Sequence, residues 1–239
     1  MINFSVIIPC FNEEKNLPIL IERFEKIIKT NDIELLLVEN GSTDNSKKVL
    51  EKLLENHKFA RKIDVPINKG YGYGIKKGLE EAKGKYIGFT HADLQTDPKD
   101  ILKAIEIIKN NEFNNNIFIK GKRKGRPLFD NLFTFGMSIF ETILLRQKLW
   151  DINAQPTFFH IDFYKTLKHL PNDFSLDLYL LYSAKINKNN IFRFKVLFPR
   201  RINGVSSWNN GIKSKLKFIK RTITYSFKLK KILNGSNLP

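Results

Sequence analysis

Sulfur is scarce in this sequence: Cys10 is its single cysteine, and only two methionines accompany it. One cysteine excludes an internal disulfide framework and any zinc cluster built on cysteines, so a reducing, cytoplasmic setting is expected. No apolar run approaches the roughly 18 residues that a membrane-spanning helix requires. Nor does a basic–apolar–small leader open the sequence, because the apolar run Phe4–Pro9 is short and ends in proline. The expectation is a chain that is soluble or bound to the inner face of a membrane without crossing it. Acidic residues also run out, none following Asp177.

What remains is an ordinary globular composition, 42% apolar over 239 residues, enough for one sizeable core. The net charge of +17 is distributed unevenly. Residues 1–112 carry 18 Lys/Arg against 18 Asp/Glu, whereas residues 113–239 carry 23 against 6. The whole excess therefore lies in the second half, which suggests that this half meets an anionic partner. A lysine-rich composition would explain the lysines but not their asymmetry.

Hydrophobic periodicity predicts alternating strands and helices over residues 1–112. Strands are expected at Asn3–Pro9, Ile33–Val38, Ile63–Val65 and Lys85–Thr90. Helices are expected after an Asn12 cap with Glu13 and Glu14 in the first turn, after Ser42-Thr43-Asp44, from Gly70 to Ala82, and over Pro98–Lys109. Such alternation implies right-handed β-α-β units, and in such sheets ligands bind beyond the carboxyl ends of the strands. Beyond Asn110 the pattern shifts to a short strand at Ile117–Ile119 and helices at Leu128–Trp150, Ile161–His169 and Leu176–Asn187. A strand at Phe192–Phe198 follows. With no repeat and no clear linker, residues 1–239 read as a single domain. Its parts are a donor half (1–112), an acceptor half (113–207) and a basic helical tail (208–239).

Three segments fall at strand ends: Cys10-Phe11-Asn12-Glu13, Glu39-Asn40-Gly41-Ser42 and His91-Ala92-Asp93-Leu94-Gln95. A hard divalent cation takes one or two carboxylates plus waters and phosphate oxygens. Asp93 supplies such a ligand, Gln95 a carbonyl, and His91 an imidazole better suited to Mn2+ than to Mg2+. The alternative is that Asp93 only caps the turn before the next helix. The run Gly70-Tyr71-Gly72-Tyr73-Gly74 does not meet the dinucleotide pattern. It follows the third strand rather than the first, and Lys77 stands where the third glycine is needed.

The order of these segments resembles family 2 glycosyltransferases of the glycosyltransferase-A fold. Val6-Ile7-Ile8-Pro9-Cys10-Phe11-Asn12-Glu13-Glu14 is similar to their opening strand, and Leu37-Val38-Glu39-Asn40-Gly41-Ser42-Thr43-Asp44 to their second. Asn68 through Ala82 resembles their glycine-bearing helix, and Thr90–Pro98 their Asp-x-Asp segment, with His91 in place of the first aspartate. The resemblance is nearest to polyprenol-phosphate sugar synthases and bacterial surface-glycan transferases. It implies an α/β fold with a mainly parallel mixed sheet flanked by helices. It further implies that Pro9, Phe11, Glu13, Val38 and Asn40 line a nucleotide pocket. Ala92 and Asp93 would lie at the diphosphate, with His91, Asp93 and Gln95 at a Mg2+ or Mn2+ ion. Gly121-Lys122-Arg123 is similar to a Gly-x-Arg that places Arg123 on donor phosphate, and Arg200–Ser206 to an Arg-x-x-Gly-x-Ser segment with Arg201 on the leaving group. Asp151–Pro156 occupies the place of an acceptor loop but departs from its pattern, and Asp177 aligns with an acidic residue near the acceptor.

The expected activity is inverting transfer of a hexose from a GDP- or UDP-linked donor to a polyprenyl phosphate or a lipid-linked or surface glycan. Asp177 would be the general base if a hydroxyl attacks, and no base is needed if a phosphate does. Over Ile212–Leu233 an apolar stripe (Ile212, Leu216, Ile219, Ile223, Phe227) flanked by lysines fits an anionic membrane surface or a helix docked on the domain. Two other readings compete: a basic nucleic-acid-binding protein, which would need exposed aromatics interleaved with Lys/Arg, and an inactive family member, suggested by His91.

Overall fold

The computed structural model describes residues 2–199, 201, 203 and 211–235, though not the side chains of residues 129, 211–215, 218 and 233–235. Arg200, Gly204, Ser206 and the side chain of Ile212, named above, lie outside the described residues.

The apolar runs become β1 (Phe4–Cys10) and β2 (Ile33–Asn40), both nearly free of exposed residues. Burial on both faces explains why they lack alternation: Phe4, Val6 and Ile8 enter one core while Ile7 enters the other. β3 (Ala60–Val65) and β4 (Tyr86–Phe89) join them in parallel, linked by α1 (Leu17–Ile27), α2 (Ser46–Leu54) and α3 (Tyr71–Glu81). After α4 (Lys99–Asn110) come β5 (Ile117–Lys124), α5 (Leu128–Leu145), β6 (Thr157–His160), α6 (Ile161–Thr166), α7 (Ser175–Ile186), β7 (Asn190–Leu197) and α8 (Gly211–Gly235). The sheet runs β3-β2-β1-β4-β6-β5-β7, parallel except that β6 is antiparallel to both β4 and β5.

Several expectations are corrected. Asn12 does not cap a helix: its φ is 56°, and its side-chain oxygen instead accepts from the Thr43 backbone N–H at 2.8 Å. The first helix starts at Leu17, with proline in its first turn where the missing N–H costs nothing. The second starts at Ser46, whose N–H is taken by the Asp44 carboxylate. β6 was not foreseen, because four residues leave too little periodicity to separate a strand from a loop. α5 stops at Leu145, where Arg146 adopts a left-handed φ of 54°.

The tail helix α8 does dock on the domain, but by a different seam from the expected stripe. Ser226 and Leu229 are buried, while Leu216 and Phe227 remain exposed. It packs on α5 and α7.

Two glycines at the start of α3, its N-cap Gly70 and Gly72 within it, are fixed by close approach. A Cβ on Gly72 would stand 2.5 Å from the Pro171 carbonyl oxygen and 2.7 Å from that of Asp173, both rigid backbone atoms. Gly70 takes φ 115° and abuts Asn172 in the same way. The Asn172 carbonyl in turn accepts the Tyr73 N–H at 2.9 Å. The loop 171–173 that leads into α7 is thus set by α3. Gly72→Ala should force that loop outward and destabilise the fold by about 1–3 kcal/mol, as overpacking does. A thermal midpoint lower by several degrees checks this, and an unchanged midpoint would show that the loop yields freely.

Candidate functional site

The carboxyl ends of β1, β2 and β4 form one rim. The turns after β1 and β2 are sewn together across it. Asn12 N–H donates to Ser42 Oγ at 3.1 Å, Glu13 N–H to Ser46 Oγ at 2.8 Å, and Glu14 N–H to Asp44 Oδ2 at 3.2 Å. Glu39 is buried and accepts the Ser42 N–H at 2.7 Å, closing its own turn. Phe11 is left 42% exposed above this rim, a ring available for stacking. Val38 is fully buried beneath it, and Asn40 is 2% exposed. The Asn40 amide donates to Gly70 O at 3.1 Å, yet its Oδ1 has no partner among the described residues. An orphaned buried acceptor costs on the order of 1–3 kcal/mol, which a ligand N–H would recover.

At the end of β4, Asp93 is 4% exposed. Its Oδ1 accepts the Gln95 N–H at 3.1 Å, and its Oδ2 pairs with Arg201 at 2.8 Å. Gln95 supports that pair: Oε1 accepts from Arg201 Nε at 3.3 Å, and Nε2 donates to Pro199 O at 2.7 Å. Residues more than one hundred positions apart are therefore joined at one carboxylate. Burial depresses the His91 imidazole below its ordinary range, against the pull of Asp93 and Asp177. A neutral ring leaves a nitrogen lone pair free to ligate. Burial raises the Glu13 carboxyl; Asn16 opposes the rise while Asp93 adds to it. Ala92 is buried beside Asp93.

Deeper, Asp177 lies in a polar knot. Its side chain and that of Lys120 are each 1% exposed, with Lys120 Nζ donating to Asp177 Oδ1 at 2.9 Å and to Thr157 Oγ1 at 2.9 Å. Gln155 Nε2 donates to the same Oδ1 at 2.7 Å and to the Tyr71 hydroxyl at 3.3 Å. Tyr71 stacks on Phe174 with centroids 4.6 Å apart and lies 5.8 Å from the His91 ring. Burial, then the carboxylates of Asp177 and Asp93, hold the Tyr71 hydroxyl well above its usual range, so it stays protonated.

Arg123 is turned to Asp151. Its backbone N–H reaches Oδ2 at 2.7 Å, while Nε and an Nη reach Oδ1 at 2.7 and 2.5 Å. Burial opposes ionisation of Asp151, but Arg123 outweighs it and lowers the carboxyl. The structure thus brings Asp93, His91, Gln95 and Arg201 together at the rim, with Glu13 nearby, and sets Asp177 in a buried network that reaches the rim through Tyr71 and His91. Sequence reasoning missed Lys120, Gln155 and Tyr71 as site residues. Lys120 did carry a signal, being a charge within the apolar strand Ile117-Phe118-Ile119.

Comparison with known proteins bears on this arrangement. The chain is 39% identical over 108 residues to an undecaprenyl-phosphate 4-deoxy-4-formamido-L-arabinose transferase of Proteus mirabilis, covering 42% of this chain and 32% of that protein. It is 31% identical over 135 residues to a dodecaprenyl-phosphate galacturonate synthase of Rhizobium johnstonii, covering 55% and 38%. The matched stretches span only about a third of these relatives' lengths. The fold is similar to that of glucosyl-3-phosphoglycerate synthase from Mycobacterium tuberculosis, solved with Mn2+, UDP and glucosyl-3-phosphoglycerate. There the TM-score is 0.72 at 16% identity, over 95% of this chain and 79% of that one. The family model for glycosyl transferase family 2 matches residues 5–169, taking in β1 through β6 and the rim they build, and the chain belongs to that family.

Proposed function

We propose that this protein transfers a hexose, with inversion, from a nucleotide sugar to a polyprenyl phosphate at a membrane surface. The observation that carries the reading is the Asp93 carboxylate, buried at the end of β4 and paired with Arg201 beside a neutral His91. A fixed negative group joined to a cation at a strand end suits an oligophosphate, whose charge needs both a metal ion and an arginine.

The donor set fits a divalent ion such as Mg2+ or Mn2+. The described residues bring together no group of three His, Cys, Asp or Glu that could hold a metal. Asp93 and His91 would therefore hold the ion, with waters and phosphate oxygens as the remaining ligands. Bound there, the ion would neutralise charge on the departing diphosphate. Arg201, oriented by Gln95, would take its share of the same charge as the bond to the anomeric carbon breaks. The exposed Phe11 ring and the unpartnered Asn40 Oδ1 support a nucleobase at the rim.

The polyprenyl-phosphate acceptor is supported by the undecaprenyl- and dodecaprenyl-phosphate relatives. It also removes the need for a general base, because a phosphate oxygen is already ionised. The burial of Asp177 against Lys120 agrees with that, since a base must reach the proton it accepts. No described helix is long and apolar enough to cross a membrane. Yet α5 presents Leu128, Leu132, Phe135, Ile139 and Ile143 to solvent at helical spacing, 88% and 72% exposed at its two ends. Beside it on α8, Leu216 and Phe227 are exposed among Lys217, Lys220 and Lys228, which suits an anionic lipid surface. The nucleic-acid reading gains nothing here, because Tyr71 is stacked in the interior rather than presented on an open platform.

Three outcomes test this reading. Asp93→Asn should lower turnover by about two to three orders of magnitude, as loss of a group stabilising developing charge does. It should also abolish the Mn2+-dependent part of the thermal shift given by UDP-glucose or GDP-mannose; retention of both would defeat the proposal. Asp177→Asn should cost about 3–5 kcal/mol of stability by stranding Lys120. Combining it with Lys120→Met should restore much of the thermal midpoint, whereas a base role would show instead as a stable, inactive single variant. Sedimentation with anionic vesicles should be strong at low salt, weaken as salt rises, and fall on Leu132→Ser with Ile143→Ser. Equal binding to neutral vesicles would argue against an electrostatic surface.

A further inference from the structure

At the outer corner of the sheet, β5 and β7 place three lysines on one face. Lys122 and Lys195 are register partners in the parallel pair, Lys124 is partnered by Leu197, and residues two apart in a strand share a face. Further down the strands the same face is interior: Phe118 belongs to the core, Lys120 is buried, and Ile191 packs against the core. Beyond Lys120 it opens, so that Lys122, Lys124 and Lys195 are exposed and Leu197 is 73% exposed among them. Neither strand contains an acidic residue, and none occurs in residues 113–129 or after Asp177. Like charges opposite one another on neighbouring strands disfavour the pairing that holds them. The Lys195 ammonium accordingly depresses that of Lys124 below its ordinary range, and Lys122 adds to the effect. A sheet edge that keeps three cations together with no acid is complementary to a surface of fixed negative charge.

The corner also adjoins the rim that carries Asp93. β5 runs antiparallel to β6, as β4 does, so β4, β5 and β7 end on one side of the sheet. Phe198 N–H donates to Lys124 O at 3.0 Å, and the next residue, Pro199, gives its carbonyl to Gln95, two positions from Asp93. We propose that Lys122, Lys124, Lys195 and Leu197 form a lipid-headgroup contact that turns the end of β4 toward an anionic bilayer. The lysines meet lipid phosphates and Leu197 enters the boundary between headgroups and acyl chains, where a soluble anion would leave the leucine in water. The membrane reading above sets α5 and α8 on the bilayer and does not say which way the rim faces. This contact rests on that reading and fixes the direction.

The test combines Lys122→Gln, Lys124→Gln and Lys195→Gln in the full chain. Its control removes the same charge around α2 and β3, at the far edge of the sheet, by Lys48→Gln, Lys52→Gln and Lys58→Gln. Relief of like charge should leave the corner variant with a thermal midpoint equal to or above that of the wild type. Sedimentation compares vesicles of phosphatidylcholine and phosphatidylglycerol with vesicles of phosphatidylcholine alone. The corner variant should bind the anionic vesicles about tenfold or more weakly than the wild type, while the control stays within about twofold. Because Cys10 is buried, a polarity-sensitive dye attached at Leu197→Cys reports the contact directly, and its emission should move to shorter wavelength on anionic vesicles. Equal losses in both lysine sets, or an unshifted dye on vesicle-bound protein, overturn the contact. If the corner variant binds as the wild type does while Leu132→Ser with Ile143→Ser does not, the α5–α8 surface stands and the corner is refuted. Failure of the wild type to bind anionic vesicles refutes both and leaves the nucleotide-sugar reading to its own ligand test. Corner-dependent binding of tripolyphosphate or single-stranded RNA, without binding to vesicles, would give the corner to a soluble anion and overturn the lipid assignment.

Discussion

A lysine and a carboxylate wholly withdrawn from water hold the middle of this molecule together. Lys120 comes from β5 and Asp177 from α7, and Gln155 and Thr157, from the start of β6 and the residues before it, complete their hydrogen bonds. Burial lowers the Lys120 ammonium, and the charge of Asp177 works against that fall. Such a pair adds little net stability over an apolar filling, yet losing one partner is costly, so its effect is to fix one arrangement of three elements. Through Gln155 the same network reaches the Tyr71 hydroxyl, and through Tyr71 it meets His91 at the end of β4.

The rim above that knot is organised by charge of both signs in limited solvent. Asp93 and Arg201 neutralise one another at 2.8 Å, Glu13 is held partly out of water nearby, and Arg123 is matched by Asp151. Gln95 contributes by gripping Arg201 between its own carbonyl and Asp93. Each charged side chain in the set has a partner that fixes its direction, and a preorganised group of this kind needs little rearrangement when a charged ligand arrives. Gly70 and Gly72 at the start of α3 belong to the same construction. By letting the 171–173 backbone approach, they bring Phe174 onto Tyr71 and set the start of α7.

On the outside, the helical layer divides its apolar residues between two uses. Leu145 of α5 and Leu229 of α8 are buried with the core, and Ser226 closes on Glu141 between the helices. Leu128, Leu132 and Ile143 of α5, with Leu216 and Phe227 of α8, stay outside. On α8 the exposed Leu216 and Phe227 therefore stand among the exposed Lys217, Lys220 and Lys228 rather than on a uniformly solvated face.

Much of the fold was legible beforehand because parallel strands buried on both faces leave unbroken apolar runs, and β1, β2 and β4 could be placed from them. The rim residues were legible for the same reason, since they follow directly where those runs end. Less was legible where the controlling contact joins distant parts of the chain. Asn12 looked like a helix cap, but the Thr43 N–H from the neighbouring turn captured its side chain. Asp177 is the candidate base for a hydroxyl acceptor, and nothing local to it in the sequence shows that Lys120, fifty-seven positions away, lies 2.9 Å from it in space. The sequence by itself determined most of the strands and helices, though not β6, and that a carboxylate, an imidazole and an amide stand together after β4. Only the tertiary structure decided which charge meets which, because ion pairs and orphaned polar atoms depend on approach across the fold, and local periodicity carries no record of it.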